Sequence, residues 1–193
     1  MQDATTFPIA ELNLPESRPV ARVKARRGSF LHTLVATAAK ALILFSVMQG
    51  CVIQGYRVYG CCMEPNLNTG ERLLGNKLAL AQGVHRGDVI VFQPPHKKDT
   101  AFVKRVIGLP GEEIEIRDSR VYVNHRVLNE PYLQRAWHDD RAPERIPDNM
   151  VFVLGDNRDN SNDSRMWGEL PVGNIQAKAC FRYWPLDKMG WIR

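Results

Sequence analysis

A 20-residue run near the start of the chain, residues 34–53 (LVATAAKALILFSVMQGCVI), constrains its fold more than any other feature. It holds a single charge, Lys40, and as a helix it spans about 30 Å, the thickness of a bilayer's hydrocarbon core. Lys40 sits about two turns from one end, within reach of an interface for a long, flexible side chain. Just upstream, residues 17–33 carry Arg18, Arg22, Lys24, Arg26 and Arg27 and no acid. A basic flank beside an apolar span stays in the cytoplasm by the positive-inside rule, so residues beyond 53 face outward. A buried helix of a soluble domain is the plain alternative, and the length argues against it. A cleaved secretory signal is also disfavoured: the apolar core is too long, starts late, and precedes no small-x-small site. Residues 1–17 are polar and proline-containing. The expected organisation is a disordered basic cytoplasmic tail (1–33), a single transmembrane anchor (34–53) and an extracytoplasmic β-rich domain (54–193).

The remaining 140 or so residues are enough for one domain with a real core. Composition is ordinary for a globular chain, at 44% hydrophobic and 24% charged residues. The net charge of +5 does not mark a nucleic-acid binder, because its basic cluster adjoins the apolar span. Short runs rich in Val, Ile, Phe and Tyr recur every 8–15 residues between Gly, Pro, Asn and Asp: YRVY (56–59), RLLGNKL (72–78), DVIVFQ (88–93), AFVKRVIGL (101–109), EIEI (113–116), RVYVN (120–124), MVFVLG (150–155) and IQAKACFRYW (175–184). That pattern predicts a mainly β domain. Asn124-His125 reads as a hairpin turn, and LPGEE supplies a Pro-Gly turn between strands. Residues 134–149 read as a surface loop.

Four cysteines, Cys51, Cys61, Cys62 and Cys180, form no CxxC pair, so a zinc site is not indicated. A bridge between the neighbours Cys61 and Cys62 is strained. Cys51 and Cys180 read as small hydrophobes, with Cys180 at a buried strand position. Cys62 differs, because Gly60 and Pro65 in YGCCMEPNL punctuate a turn that can expose its sulfur. On an alternating strand Phe102, Lys104 and Val106 share one face, opposite Val103, Arg105 and Ile107. A lysine among such neighbours loses water, and desolvation disfavours an ammonium; that is how a lysine becomes a base near neutral pH. The plain alternative has Lys104 on the surface and Arg105 facing in. The third segment, LGDNRDNSNDSRMWGEL (154–170), is dense in hydrogen-bonding groups.

These segments resemble, in order, the boxes of the type I signal peptidase family. CMEPNL resembles the nucleophile box, RGDVIVFQPP the box after it, FVKRVIGLPGE the box bearing the catalytic lysine, and LGDNRDNSNDSRMWG the Gly-Asp-Asn-Arg box along its whole length. The resemblance covers residues 34–193. It implies a β-rich catalytic domain whose apolar surface touches the outer leaflet. Its substrates would be secretory precursors, cut after small residues at Ala-x-Ala sites. It implies no metal or organic cofactor, a single-pass protein of the plasma (inner) membrane, and a monomer. Residue by residue it puts Cys62 at the nucleophile and Lys104 at the general base. Ser161 would orient the lysine, Asp163 and Arg165 would be a bracing ion pair, and Met63 would support the pocket. Gly60 occupies a position where some members have a serine that helps bind the oxyanion, which here leaves mainly the Cys62 N–H.

Two departures stand out: cysteine replaces the family's serine, and Asn66 replaces threonine after Pro65. A free thiol titrates near 8.5 and a free lysine near 10.4, roughly, so the proton tends toward the amine, although desolvation opposes the charged pair. Collapse of the tetrahedral intermediate is the harder step, because thiolate leaves more readily than an unprotonated amine. The expected enzyme works, slowly, and is sensitive to thiol alkylation. Two further readings are a catalytically impaired relative that binds precursor peptides by strand addition and a processing peptidase with a narrower clientele. Soluble self-cleaving repressors share Ser/Lys chemistry but have no such apolar span. The five histidines accompany no nucleophile elbow, so a Ser-His-Asp triad is not supported.

Overall fold

The computed structural model describes residues 27–94, 101–134 and 136–192, with the side chains of 27–30 and 47–51 excepted. The chain divides into two compact units, residues 1–41 and 42–193. Helix α1 (Arg27–Val52) begins seven residues before the expected start, within the segment expected to be tail, since no proline interrupts residues 27–52. It gives way to strand at Ile53, one residue short of the expected end. Among the described residues no helix is long and apolar enough to cross a membrane. Of the expected tail, residues 1–26 lie outside the described residues, as do the side chains of 47–51 within the expected anchor.

Among the described residues the domain has twelve strands: β1 (Ile53–Arg57), β2 (Arg72–Asn76), β3 (Val89–Phe92), β4 (Phe102–Gly108), β5 (Glu113–Arg117), β6 (Arg120–Val123), β7 (Arg126–Val127), β8 (Arg141–Arg145), β9 (Met150–Leu154), β10 (Leu170–Pro171), β11 (Ile175–Trp184) and β12 (Gly190–Trp191). One sheet runs β1-β2-β11-β3-β4-β9-β10, with β12 beside β11; a second runs β7-β6-β5-β8. Every pairing is antiparallel.

The turns obey local chemistry. Asn124 and His125 both adopt left-handed backbone (φ 49° and 64°), as do Asp118 and Ser119 (φ 49° and 61°). Positive φ at both central residues suits a two-residue hairpin to the twist of its strands. The expected loop over 134–149 is corrected in part, because β8 lies inside it and pairs with β5. Its sequence, RAPER, has no alternating apolar pattern, so only a partner strand could reveal it.

Three apolar clusters form the core. Ile114, Ile116, Val121 and Ile146 pack with Ile107, Phe152 and Trp137. Val58, Met63, Leu67, Val89, Val91 and Val103 form a second cluster, against which Cys62 packs. Ile90, Phe92, Val106, Val151 and Val153 form the third. β4 contributes to all three, so both of its faces are covered and every residue from Val103 to Gly108 is buried. Such a strand reads as a continuous buried run rather than an alternation. That overturns the choice between Lys104 and Arg105: each is 2% exposed. Cys180 is corrected too. A bulge between Ala179 and Phe181 shifts the register of β11, leaving Cys180 half-buried, its thiol 3.2 Å from the Leu74 carbonyl oxygen.

Candidate active site

A cavity of about 310 Å3 opens where the loop after β1 meets the start of β4; Arg57, Gly60, Cys62, Phe102, Lys104 and Asn162 are among its lining residues. Three of the sequence-predicted residues, Gly60, Cys62 and Lys104, thus line the same space. The Cys62 sulfur lies 3.7 Å from the carbonyl oxygen of Val103, the residue before Lys104. Lys104 is almost fully buried, its Nζ 5.6 Å from the centre of the Phe102 ring. Among the described residues the Cys62 N–H donates to no protein acceptor. Gly60 has φ +84°, and a Cβ built there would meet nothing within 4 Å. The turn thus needs a left-handed residue, which glycine supplies at least cost. Met63 is fully buried beneath the loop.

The segment after β9 holds this loop from below. Asn157 donates twice, from its backbone N–H to the Cys62 carbonyl and from Nδ2 to the Cys61 carbonyl, both at 3.0 Å. Gly155 is the spacer between loop and segment: a Cβ on it would come within 2.2 Å of Ser161 Oγ and 2.5 Å of the Cys62 carbonyl oxygen. The Ser161 hydroxyl is buried and has no hydrogen-bond partner among the described residues, so the contact to Lys104 implied by the resemblance is not made in this conformation. Catalytic hydrogen bonds of a free enzyme often tighten only around substrate.

Asp163 and Arg165 do form the expected pair, Arg165 Nε and Nη2 each 2.9 Å from a different carboxylate oxygen. Asp163 also caps the short helix α2 (Ser164–Trp167) and accepts the Gly155 N–H at 3.0 Å. Burial works against the Arg165 charge, but the Asp163 and Asp139 carboxylates outweigh it and raise the guanidinium above its ordinary value.

Sequence reasoning missed several supporting residues. Arg105 grips Asp156 through two nitrogens and lies 4.1 Å over the Tyr132 ring. Asn66 donates to Asp156 at 2.8 Å and to the Tyr132 carbonyl at 2.9 Å. The substituted threonine position is thus occupied by a side chain with two acceptors in reach. Arg158 is buried against Glu130 and the Trp137 ring. A basic residue beside Lys104 and an acid near the start of a polar box were the available signals, but no local rule pairs positions 105 and 156.

On this β scaffold a buried lysine and a thiol line one cavity, with a free N–H beside the sulfur. The profile of the family described as "Signal peptidase, peptidase S26" matches residues 31–184. The sequence is 34% identical over 184 residues to signal peptidase I of Leptolyngbya laminosa, covering 91% of this chain and 90% of that one. It is 34% identical over 162 residues to probable signal peptidase I-2 of Synechocystis sp., covering 81% and 74%. Against signal peptidase I of Bacillus caldolyticus it is 37% identical over 166 residues, covering 78% and 90%. This chain belongs to the peptidase S26 family of signal peptidases.

Proposed function

We propose that Cys62 and Lys104 form a thiol/amine dyad with which this family member cleaves its substrates. As a peptidase S26 protein the chain is a hydrolase that removes signal peptides, and secretory precursors are its substrates. The observation that carries the dyad is the shared cavity, in which the Cys62 sulfur sits beside the peptide unit leading into a buried Lys104.

Those groups dictate the chemistry. The Lys104 amine takes the thiol proton as sulfur attacks the scissile carbonyl carbon. A C–S bond forms, and the carbonyl π pair moves onto oxygen, where the Cys62 N–H meets it. The Lys104 ammonium passes its proton to the departing nitrogen as the C–N bond breaks, leaving a thioester. Water, giving a proton to the same amine, then hydrolyses the thioester and restores the thiol. Ser161 is assigned to steer the amine. Asp163 and Arg165 keep the segment bearing Ser161 in place. Met63 supports the loop, and Gly60 leaves the cavity mouth open.

Residues 34–53 act as the single-pass anchor in this reading, with 1–33 cytoplasmic and 54–193 extracytoplasmic. The length of the run and its basic flank support that orientation. Bilayer contact is supported by the exposed apolar side chains of Trp184 (49%), Leu186 (68%), Met189 (57%) and Trp191 (75%) near the end of the domain.

The test uses the full chain in detergent and a precursor carrying an Ala-x-Ala site. Wild type should cleave it after the second alanine, and Lys104→Ala should not. Undiminished cleavage by Lys104→Ala would remove the proposed base. A silent wild type that gains activity as Cys62→Ser would show that the thiol impairs the site rather than serving it.

A further inference from the structure

The cavity is unbalanced in charge. Among the described residues its lining includes the guanidinium of Arg57 and no carboxylate. Arg57 ends β1, its guanidinium carbon 5.5 Å from the centre of the Tyr59 ring. It is exposed, and among the described residues it makes no ion pair or hydrogen bond. That sets it apart from the domain's less exposed arginines: Arg105, Arg158, Arg165 and Arg182 each hold a carboxylate. The β1–β2 register places Arg72 directly across from Arg57, also exposed and also without an ion pair among the described residues. Like charges directly opposite on an antiparallel pair are destabilising, and an acid at either position would relieve the repulsion. A broken local rule at the mouth of a site points to a functional cause.

We infer that Arg57, reinforced by Arg72, is a specificity site for a substrate carboxylate: the enzyme favours precursors with Asp or Glu near the scissile bond and disfavours Lys or Arg there. The inference rests on the peptidase reading above, in which the precursor chain lies in this cavity. Phe102, Val103 and Ala101 give the cavity apolar wall for small side chains, while the guanidinium fork presents paired donors with the spacing of a carboxylate. Because Arg57 is solvent-exposed, the preference is modest, about fivefold, and screened by salt.

The experiment takes one cleavable peptide sequence and places Glu, Gln or Lys in turn at each position flanking the cut. At one or more positions the Glu peptide should exceed the Lys peptide in kcat/KM by about fivefold, and the ratio should shrink in molar salt. Arg57→Gln should bring the ratio toward one, Arg57→Glu should invert it, and Arg72→Ala should lower it by less. The same ordering should appear in fluorescence anisotropy of labelled peptides on Cys62→Ala, where no chemistry is needed. Ordered binding with no cleavage by wild type would sink the dyad and leave the carboxylate site standing. Equal kcat/KM and equal binding for Glu and Lys peptides at every position would overturn the inference, as would a preference that Arg57→Glu leaves unchanged.

Discussion

Arg105 and Asp156 are joined by two parallel hydrogen bonds of 2.9 and 2.8 Å, with side chains only 2% and 1% exposed. The pair connects the strand that carries Lys104 to the segment whose next residue, Asn157, holds the backbone of Cys61 and Cys62. One buried ion pair thus couples the strand of Lys104 to the loop of Cys62, the two halves of the proposed dyad. Removing one partner strands the other charge away from water, so Asp156→Ala should lower unfolding free energy by about 3–5 kcal/mol. Urea denaturation in detergent reads this directly, and a loss below about 1 kcal/mol would mean the pair is not needed.

Lys104 should be needed for chemistry and not for folding. Lys104→Met keeps the length and apolar stem of the side chain while deleting its base. Cleavage should fall by a factor on the order of 100 to 10,000 with the melting temperature held or raised. If the variant instead unfolds while residual protein retains normal kcat, Lys104 is a structural residue.

Alkylation should identify the nucleophile. In a Cys61→Ala background, iodoacetamide should abolish activity in proportion to carbamidomethyl label on Cys62, read by peptide mass. Full activity with Cys62 fully labelled would exclude the sulfur from the reaction.

The two glycines of the site should fail for different reasons. Gly155→Ala drives a methyl group into Ser161 Oγ and the Cys62 carbonyl. Displacing the nucleophile by about 1 Å should cost on the order of 100-fold in kcat. Gly60→Ala meets no atom within 4 Å but strains a left-handed backbone, so it should cost about 1–2 kcal/mol of stability and less in rate. Similar rate losses for both would show that the contact around Gly155 is not what positions the loop.

Alkaline pH should weaken the fold through Tyr132. Burial, and then the neighbouring Glu130 carboxylate, push its phenol well above the ordinary value. Below about pH 10 the phenol is protonated folded or unfolded and stability is unaffected; above it the unfolded chain ionises first and is favoured. The melting temperature should therefore fall from pH 9 to pH 11, and Tyr132→Phe should flatten that slope. Tyr56, also raised by burial, adds a residual slope of the same sign.

Most of the fold was legible because the strands carry their own signals. Val89–Phe92 and Met150–Leu154 are β-branched and aromatic runs, and the turn at Asn124-His125 opens on an asparagine, which tolerates left-handed backbone. β8 was not legible, since its RAPER sequence pairs with β5 without an apolar pattern of its own. Cys62 and Lys104 were legible as candidates through the ordered boxes that resemble the signal peptidase family, while strand alternation alone left Lys104 and Arg105 undecided. Arg57 was not, because a strand-end arginine reads as ordinary surface until the cavity beside it is seen.

The sequence by itself determined which reactive groups are present and the order of the boxes that carry them: one thiol in a Gly- and Pro-punctuated turn, one amine in an apolar strand, and a polar box after β9. Residue types and their order along the chain suffice for that. Only the tertiary structure decided that Cys62 and Lys104 share a cavity, that Arg105 meets Asp156 across 51 positions, and that Arg57 faces the site without a counterion among the described residues. Those outcomes depend on antiparallel pairing between distant strands, where register is set by cores and bulges that no single segment contains.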